Sequence, residues 1–183
     1  MNLKTQVQII IKAAPEKVFD CAIDCQNLPK FFIGYKSIPA IVSARTTDGL
    51  TLRQGSTRIV KNSDGSEIEE AIVTLKRPHI QEYQLIKGFK PPFTWLVRSA
   101  SGKWLYEAID SGTRITWHFN FEMRNMLAFL IFRTVLKPPF QEAQKICLEN
   151  IKKFIETAAG RSSEFEWTDE AKDELNYWQP TSQ

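Results

Sequence analysis

Metal-anchoring and bridging residues are scarce in this chain: three cysteines and two histidines among 183 residues. Cys21, Cys25 and Cys147 form no CxxC pair, and His79 and His118 are isolated, so neither a disulfide scaffold nor a zinc site is expected. The cysteines read instead as small buried hydrophobes of a protein kept reduced. Long hydrophobic runs are missing too. The longest, MLAFLIFRTVL at 126–136, has eleven residues including Arg133, well short of the roughly twenty needed to cross a bilayer. Lys4, Gln6 and Gln8 interrupt the opening MNLKTQVQIIIK, which does not read as a secretory signal, and the expected location is cytoplasmic. An excess of one charge is likewise lacking: 24 Lys and Arg against 21 Asp and Glu give +3. That is too little to imply a nucleic-acid partner.

The charges are unevenly spread. Residues 160–183 hold two cations, Arg161 and Lys172, against six carboxylates. They read as an acidic, flexible tail, either solvated or folded back onto a basic rim. Residues 1–159 suffice for one domain that needs no cross-links.

Within that domain, Val7, Ile9 and Ile11 alternate with Gln6 and Gln8, the period of a half-buried strand. Ala14-Pro15 opens a helix with proline in its first turn, and Val18, Phe19, Ala22 and Ile23 share one face of it. Leu28, Phe31 and Phe32 begin a second, short helix. From 37 to 123 the pattern is β, with six strands near 38–46, 52–62, 67–77, 80–88, 94–110 and 113–123. Short turns such as Asp48-Gly49, Asp64-Gly65 and Lys87-Gly88 separate them, so neighbours should be antiparallel.

The last hairpin can be read residue by residue. With Ser111-Gly112 as a two-residue loop, Tyr106 faces Trp117 and Trp104 faces Phe119. This register gathers Trp104, Tyr106, Trp117, Phe119, Phe121 and Met123 on one inward face and leaves Leu105, Glu107 and His118 outside. Past Met123, the apolar segment ends where Pro138 bars Lys137 from helical angles. A last helix then runs from Pro139 to Gly160, with Phe140, Ala143, Cys147, Ile151, Phe154 and Ala158 as one stripe.

One curved antiparallel sheet and one long amphipathic helix make a two-layer α+β domain. The stretch IIIKAAPEKVFDCAIDCQNLPKFF carries Ile11, Ala13, Pro15, Val18, Phe19, Asp24, Leu28, Pro29 and Phe31. Followed by GTRITWHF, a proline and LENIKKFIE, it resembles the START-like (SRPBCC) superfamily over residues 3–158, in its polyketide cyclase/dehydrase and lipid-transport branch. The glycine-rich loop of the superfamily's plant pollen-allergen branch has no counterpart; Asp48-Gly49-Leu50 and Gln54-Gly55 stand there instead. The resemblance implies a helix-grip fold, a seven-stranded sheet wrapped around the C-terminal helix, with two short helices after the first strand closing one end. It also implies a deep cavity between sheet and helix whose usual tenants are lipids, sterols, polyketides and other apolar molecules.

On this layout the lining is Phe31, Phe32, Tyr83, Trp104, Tyr106, Trp117, Phe119, Phe121, Phe129, Phe140 and Cys147. Tyr83, Tyr106 and Trp104 can each donate a hydrogen bond to a ligand oxygen. Arg58 is a candidate polar anchor. The facing of Arg58 and Glu70 is open, and an inward charge in an apolar box calls for a ligand partner or an internal pair. His118 falls outside and His79 sits in a solvated turn, so no catalytic residue is assigned, and neither a metal nor a cofactor is expected.

Magnitudes favour binding over catalysis. A twelve-carbon chain brings on the order of 10 kcal/mol gross at about 0.8 kcal/mol per buried CH₂. Association consumes half or more of that, leaving micromolar binding within reach. Catalysis asks at least about 8 kcal/mol from placed groups, and no nucleophile–base pair, carboxylate pair or phosphate loop is legible. The expectation is a binder or transporter of a lipid-, polyketide- or isoprenoid-like molecule. The alternatives are a cyclase/dehydratase-type lyase, and a cochaperone-like interaction module with its cavity collapsed. Leu127, Leu130 and Ile131, with the stiff loop Phe89-Lys90-Pro91-Pro92-Phe93, suggest a cavity mouth in transient contact with membranes, the alternative being that all of 126–136 packs under the sheet. The oligomeric state is not legible.

Overall fold

In the computed structural model, which describes residues 1–163, the alternating segments form seven strands. These are Asn2–Ile11 (β1), Ile41–Thr46 (β2), Thr57–Asn62 (β3), Glu67–Lys76 (β4), Ile80–Lys87 (β5), Val97–Ile109 (β6) and Gly112–Met123 (β7). They pair antiparallel in the order β1-β7-β6-β5-β4-β3-β2. Pro15–Ile23 (α1) and Leu28–Phe31 (α2) follow the first strand, and Phe93–Leu96 (α3) precedes β6. Met126–Ile131 (α4) leads into the final helix, Lys137–Ser163 (α5). This is the expected α+β helix-grip. The acidic tail read at 160–183 lies, beyond Ser163, outside the described residues.

Several local expectations are corrected. The sixth strand begins at Val97, not 94, because Trp95 and Leu96 donate to the Pro92 carbonyl and wind into a turn. The last hairpin turns at Asp110-Ser111, so Trp104 pairs with Trp117 and Tyr106 with Ile115, two residues off the expected register. Gly112 is drawn out of the turn by the end of β1: at φ +129° a Cβ there would stand 2.2 Å from the Ile11 carbonyl oxygen. An even slip keeps every side chain on its face. Trp104, Tyr106, Trp117, Phe119 and Phe121 are all buried, and His118 stays on the outer face. Gly112→Ala should therefore cost about 2 kcal/mol, read as a lower midpoint in urea unfolding.

Nor do Pro138 and Pro139 break the final helix. Phe132–Leu136 winds as a π-helix in which the Lys137 N–H donates to Phe132 O. That wider turn accommodates two residues with no N–H to give. At the far end the helix passes through Gly160 to Ser163; a lone glycine costs only about 1 kcal/mol, and Ala158 and Ala159 before it favour helix. The buried stripe also differs. Gln144, Leu148 and Ile155 join Phe140, Ala143, Cys147 and Ile151 inside, while Phe154 is 43% exposed and meets Phe31 edge-on. Phe154 and Ile155 both fit a helical step from Ile151, and the larger ring is left to cover α2.

Helix α5 packs on β1, α1 and α2. Thr5 Oγ1 donates to Gln144 Oε1 at 2.6 Å, Asn150 Nδ2 to Phe31 O at 2.9 Å and Lys152 Nζ to Ile10 O at 2.8 Å. The packed core thus lies toward β1 and β7. The inner faces of β3, β4 and β5 border a hollow.

Candidate functional site

That hollow is a cavity of about 240 Å³, close to the roughly 300–1,000 Å³ of small-molecule sites. Its floor is the aromatic face of the β6–β7 hairpin, and Phe140 and Cys147 of α5 roof it. Ala22, Leu28 and Phe32 close one end. Segments 37–41, 62–66 and 89–93 contribute the remaining wall, and their exposed Ser37, Asp64, Lys90, Pro91 and Pro92 mark the mouth. Lys90 Nζ donates to Asp64 O at 3.5 Å, joining two of these segments.

Of the residues named from sequence, Phe32, Arg58, Tyr83, Trp104, Trp117, Phe119, Phe121, Phe140 and Cys147 line the cavity. Trp104 stacks on Trp117 with centroids 4.4 Å apart, and Phe119 meets Phe140 edge-on at 4.9 Å, where floor and roof touch. Phe31, Tyr106 and Phe129 do not line it. Phe31 turns toward Phe154, Tyr106 packs under α1 against Phe19 at 5.0 Å, and Phe129 packs against the core from α4. Tyr83 owes its position to Gly102, its partner on β6: a Cβ there would fall 2.3 Å from the tyrosine ring. The ring therefore lies against the sheet.

Both charges left open by the sequence point inward. Arg58 on β3 and Glu70 on β4 are cross-strand partners, 4% and 8% exposed. Arg58 Nε donates to Glu70 Oε2 at 2.9 Å and Nη2 to the same oxygen at 2.5 Å. The guanidinium also sits 5.6 Å from the centre of the Tyr83 ring, a cation–π distance. Burial opposes the arginine's charge, but the Glu70 carboxylate outweighs it and holds Arg58 cationic. Glu70 uses one oxygen for the pair, and Arg58 Nη1 is buried with no partner.

Gln81 was missed. It stands one inward step before Tyr83 on β5, is 3% exposed, lines the cavity and makes no side-chain hydrogen bond among the described residues. The period-two step that points Tyr83 inward points Gln81 and Leu85 inward as well. The loop lining at 37–41, 62–66 and 89–93 had no periodic signal to reveal it.

These groups can donate and accept hydrogen bonds, but no activated nucleophile stands among them. Burial pushes the Tyr83 and Tyr106 hydroxyls and the Cys147 thiol well up, so all three stay protonated. Burial lifts Cys21 to about 11 and raises Cys25 against the pull of Arg58; a thiol in that condition is a poor nucleophile. Among the described residues no three His, Cys, Asp or Glu side chains are grouped to hold a metal ion.

Comparison with known proteins agrees with this architecture. The family described as polyketide cyclase / dehydrase and lipid transport matches residues 2–156. Among solved structures, ginseng major latex-like protein 151 from Panax ginseng superposes with a TM-score of 0.64 at 16% identity, covering 84% of this chain and 97% of that one. The di-domain ARO/CYC BexL from the BE-7585A biosynthetic pathway gives 0.63 at 14% identity, covering 83% of this chain and 49% of its own. A point mutant of norcoclaurine synthase from Thalictrum flavum, in complex with a transition state analogue, gives 0.61 at 12% identity over 87% and 97%. At these identities the likeness is one of fold. Among curated proteins no relative matches.

Proposed function

Because the chain belongs to the polyketide cyclase / dehydrase and lipid transport family, we propose that it binds and carries a hydrophobic small molecule with one oxygen-bearing end. The apolar body lies between the hairpin rings and α5, and the oxygen end meets Glu70, Tyr83 and Gln81. The observation that carries this reading is the pairing of Arg58 with Glu70 inside a mainly apolar cavity. An unpaired buried charge would have argued for a reacting group; a neutralised pair offers polarity without a free base.

Native mass spectrometry of the purified protein tests it. A co-purifying lipid-like molecule, retained intact, is the expected result. Trp104→Ala and Phe119→Ala should each weaken its binding by about tenfold or more, as each removes a ring's contact area. His118→Ala should leave binding unchanged, because the imidazole lies on the outer face. A protein that takes up no hydrophobic molecule, or loses uptake on the His118 change, contradicts the reading. A cyclase- or dehydratase-type activity draws on Glu70 and the Tyr83 hydroxyl sharing one cavity; it predicts recovery of a converted product in place of the intact ligand.

A further inference from the structure

Beside the cavity mouth lies an apolar face that no described residue covers. Helix α4 turns Ala128 inward, and Phe132 just after it is fully buried. Its other side presents Met126, Leu127, Leu130 and Ile131, from 39% to 67% exposed over two successive turns. Trp95 of α3, at 69%, and Val135, at 61%, extend the patch. The two short helices form one surface: Phe93 meets Phe132 edge-on at 5.7 Å, and Arg124 Nε donates to Thr94 O at 2.9 Å. A helix apolar on every side is ordinarily buried all round; this one is buried on one side.

Positive charge predominates around the patch. Segments 88–102 and 123–140 contain Lys90, Arg98, Arg124, Arg133 and Lys137 and no Asp or Glu. Arg98 pairs with Glu122, whereas Lys90, Arg124, Arg133 and Lys137 form no ion pair among the described residues. Exposed aliphatic turns, a tryptophan and flanking cations that outnumber the nearby carboxylates Asp64 and Glu122 are what the interface of an anionic bilayer accepts. A second copy fits worse, since a two-fold contact would bring like charges together. No helix among the described residues is long and apolar enough to span a membrane, so contact would be with the surface.

We propose that the α3–α4 face docks the domain on an anionic membrane, with the cavity mouth turned toward the lipid. Phe89 and Phe93 belong to the cavity wall, and Phe93 begins α3, so the docking face and the mouth are continuous. Docking does not depend on what the cavity holds.

Co-sedimentation with vesicles of phosphatidylcholine containing about 30% phosphatidylserine, against pure phosphatidylcholine, tests this. Binding should be at least about tenfold stronger to the anionic vesicles and should fall as salt is raised. Leu127→Glu with Leu130→Glu should abolish it; both positions are exposed, so circular dichroism and uptake of a fluorescent fatty-acid probe in solution should be unchanged. Equal binding to both vesicle types, no binding, or undiminished binding by the double variant overturns the proposal. So does a solution dimer that the same double variant converts to monomer, which would make the face a self-association surface. None of these results touches the carrier reading, which stands on uptake of the probe.

Discussion

Replacing Glu70 with glutamine should lower the stability of the fold by about 3–5 kcal/mol, because Arg58 would be left charged, buried and unpaired. In a chain of this length that corresponds to a loss of roughly 6–20 °C in melting temperature, measurable by circular dichroism. Arg58→Met combined with Glu70→Leu should recover most of the loss, since an apolar pair of similar size removes the desolvation cost altogether. The double variant also isolates the pair's part in recognition. It should still take up hydrocarbon and should lose its preference for ligands with an oxygen-bearing end. A Glu70→Gln protein melting within about 1 kcal/mol of the parent would mean that the pair is solvated, and the anchor assigned to it would fall.

Val60→Phe should cut affinity for a fluorescent fatty-acid probe by on the order of 100-fold, the equivalent of excluding three or four methylenes. Val60 is the next inward residue after Arg58 on β3, is 4% exposed and lines the cavity. A larger ring there occupies ligand space without displacing the packed side of the domain. Stability should accordingly hold or rise, because filled volume gains contacts that an empty cavity forgoes. Titration and melting on the same sample distinguish the outcomes. Unchanged affinity would put the ligand elsewhere, and a large loss of stability would mean that this part of the interior is already full.

What could be read from the sequence followed from strong periodicity. The alternation through 104–123 gave the correct face for every ring even though the pairing was two residues off, because facing depends on parity while register depends on which residues turn. The turn itself could not be placed from Ser111-Gly112 alone. The close approach of Ile11 that demands glycine at 112 comes from β1, about a hundred residues away in sequence. Likewise Pro138 correctly marks a place where an α-helix cannot continue unchanged, yet a π-turn is a local solution that no propensity reports.

Arg58 and Glu70 were ambiguous for a sharper reason. In Thr57–Asn62 the arginine points in while Ile59 points out, the reverse of what hydrophobicity predicts. Only a partner on the neighbouring strand makes that inversion tolerable, and a single strand's pattern does not contain the partner. Gln81 was overlooked on the same logic, as a polar side chain on a face judged by its rings.

The asymmetric seat of α5 has a consequence for diversification. The interior that keeps the chain folded lies mainly toward the first and last strands, whereas the chamber's outer wall is supplied by three short connecting segments on the opposite flank. Exchanging or lengthening those segments would reshape the chamber while sparing the framework. On the carrier reading proposed above, cargo preference would be a modular trait, open to redesign by grafting rim pieces onto an unaltered chassis.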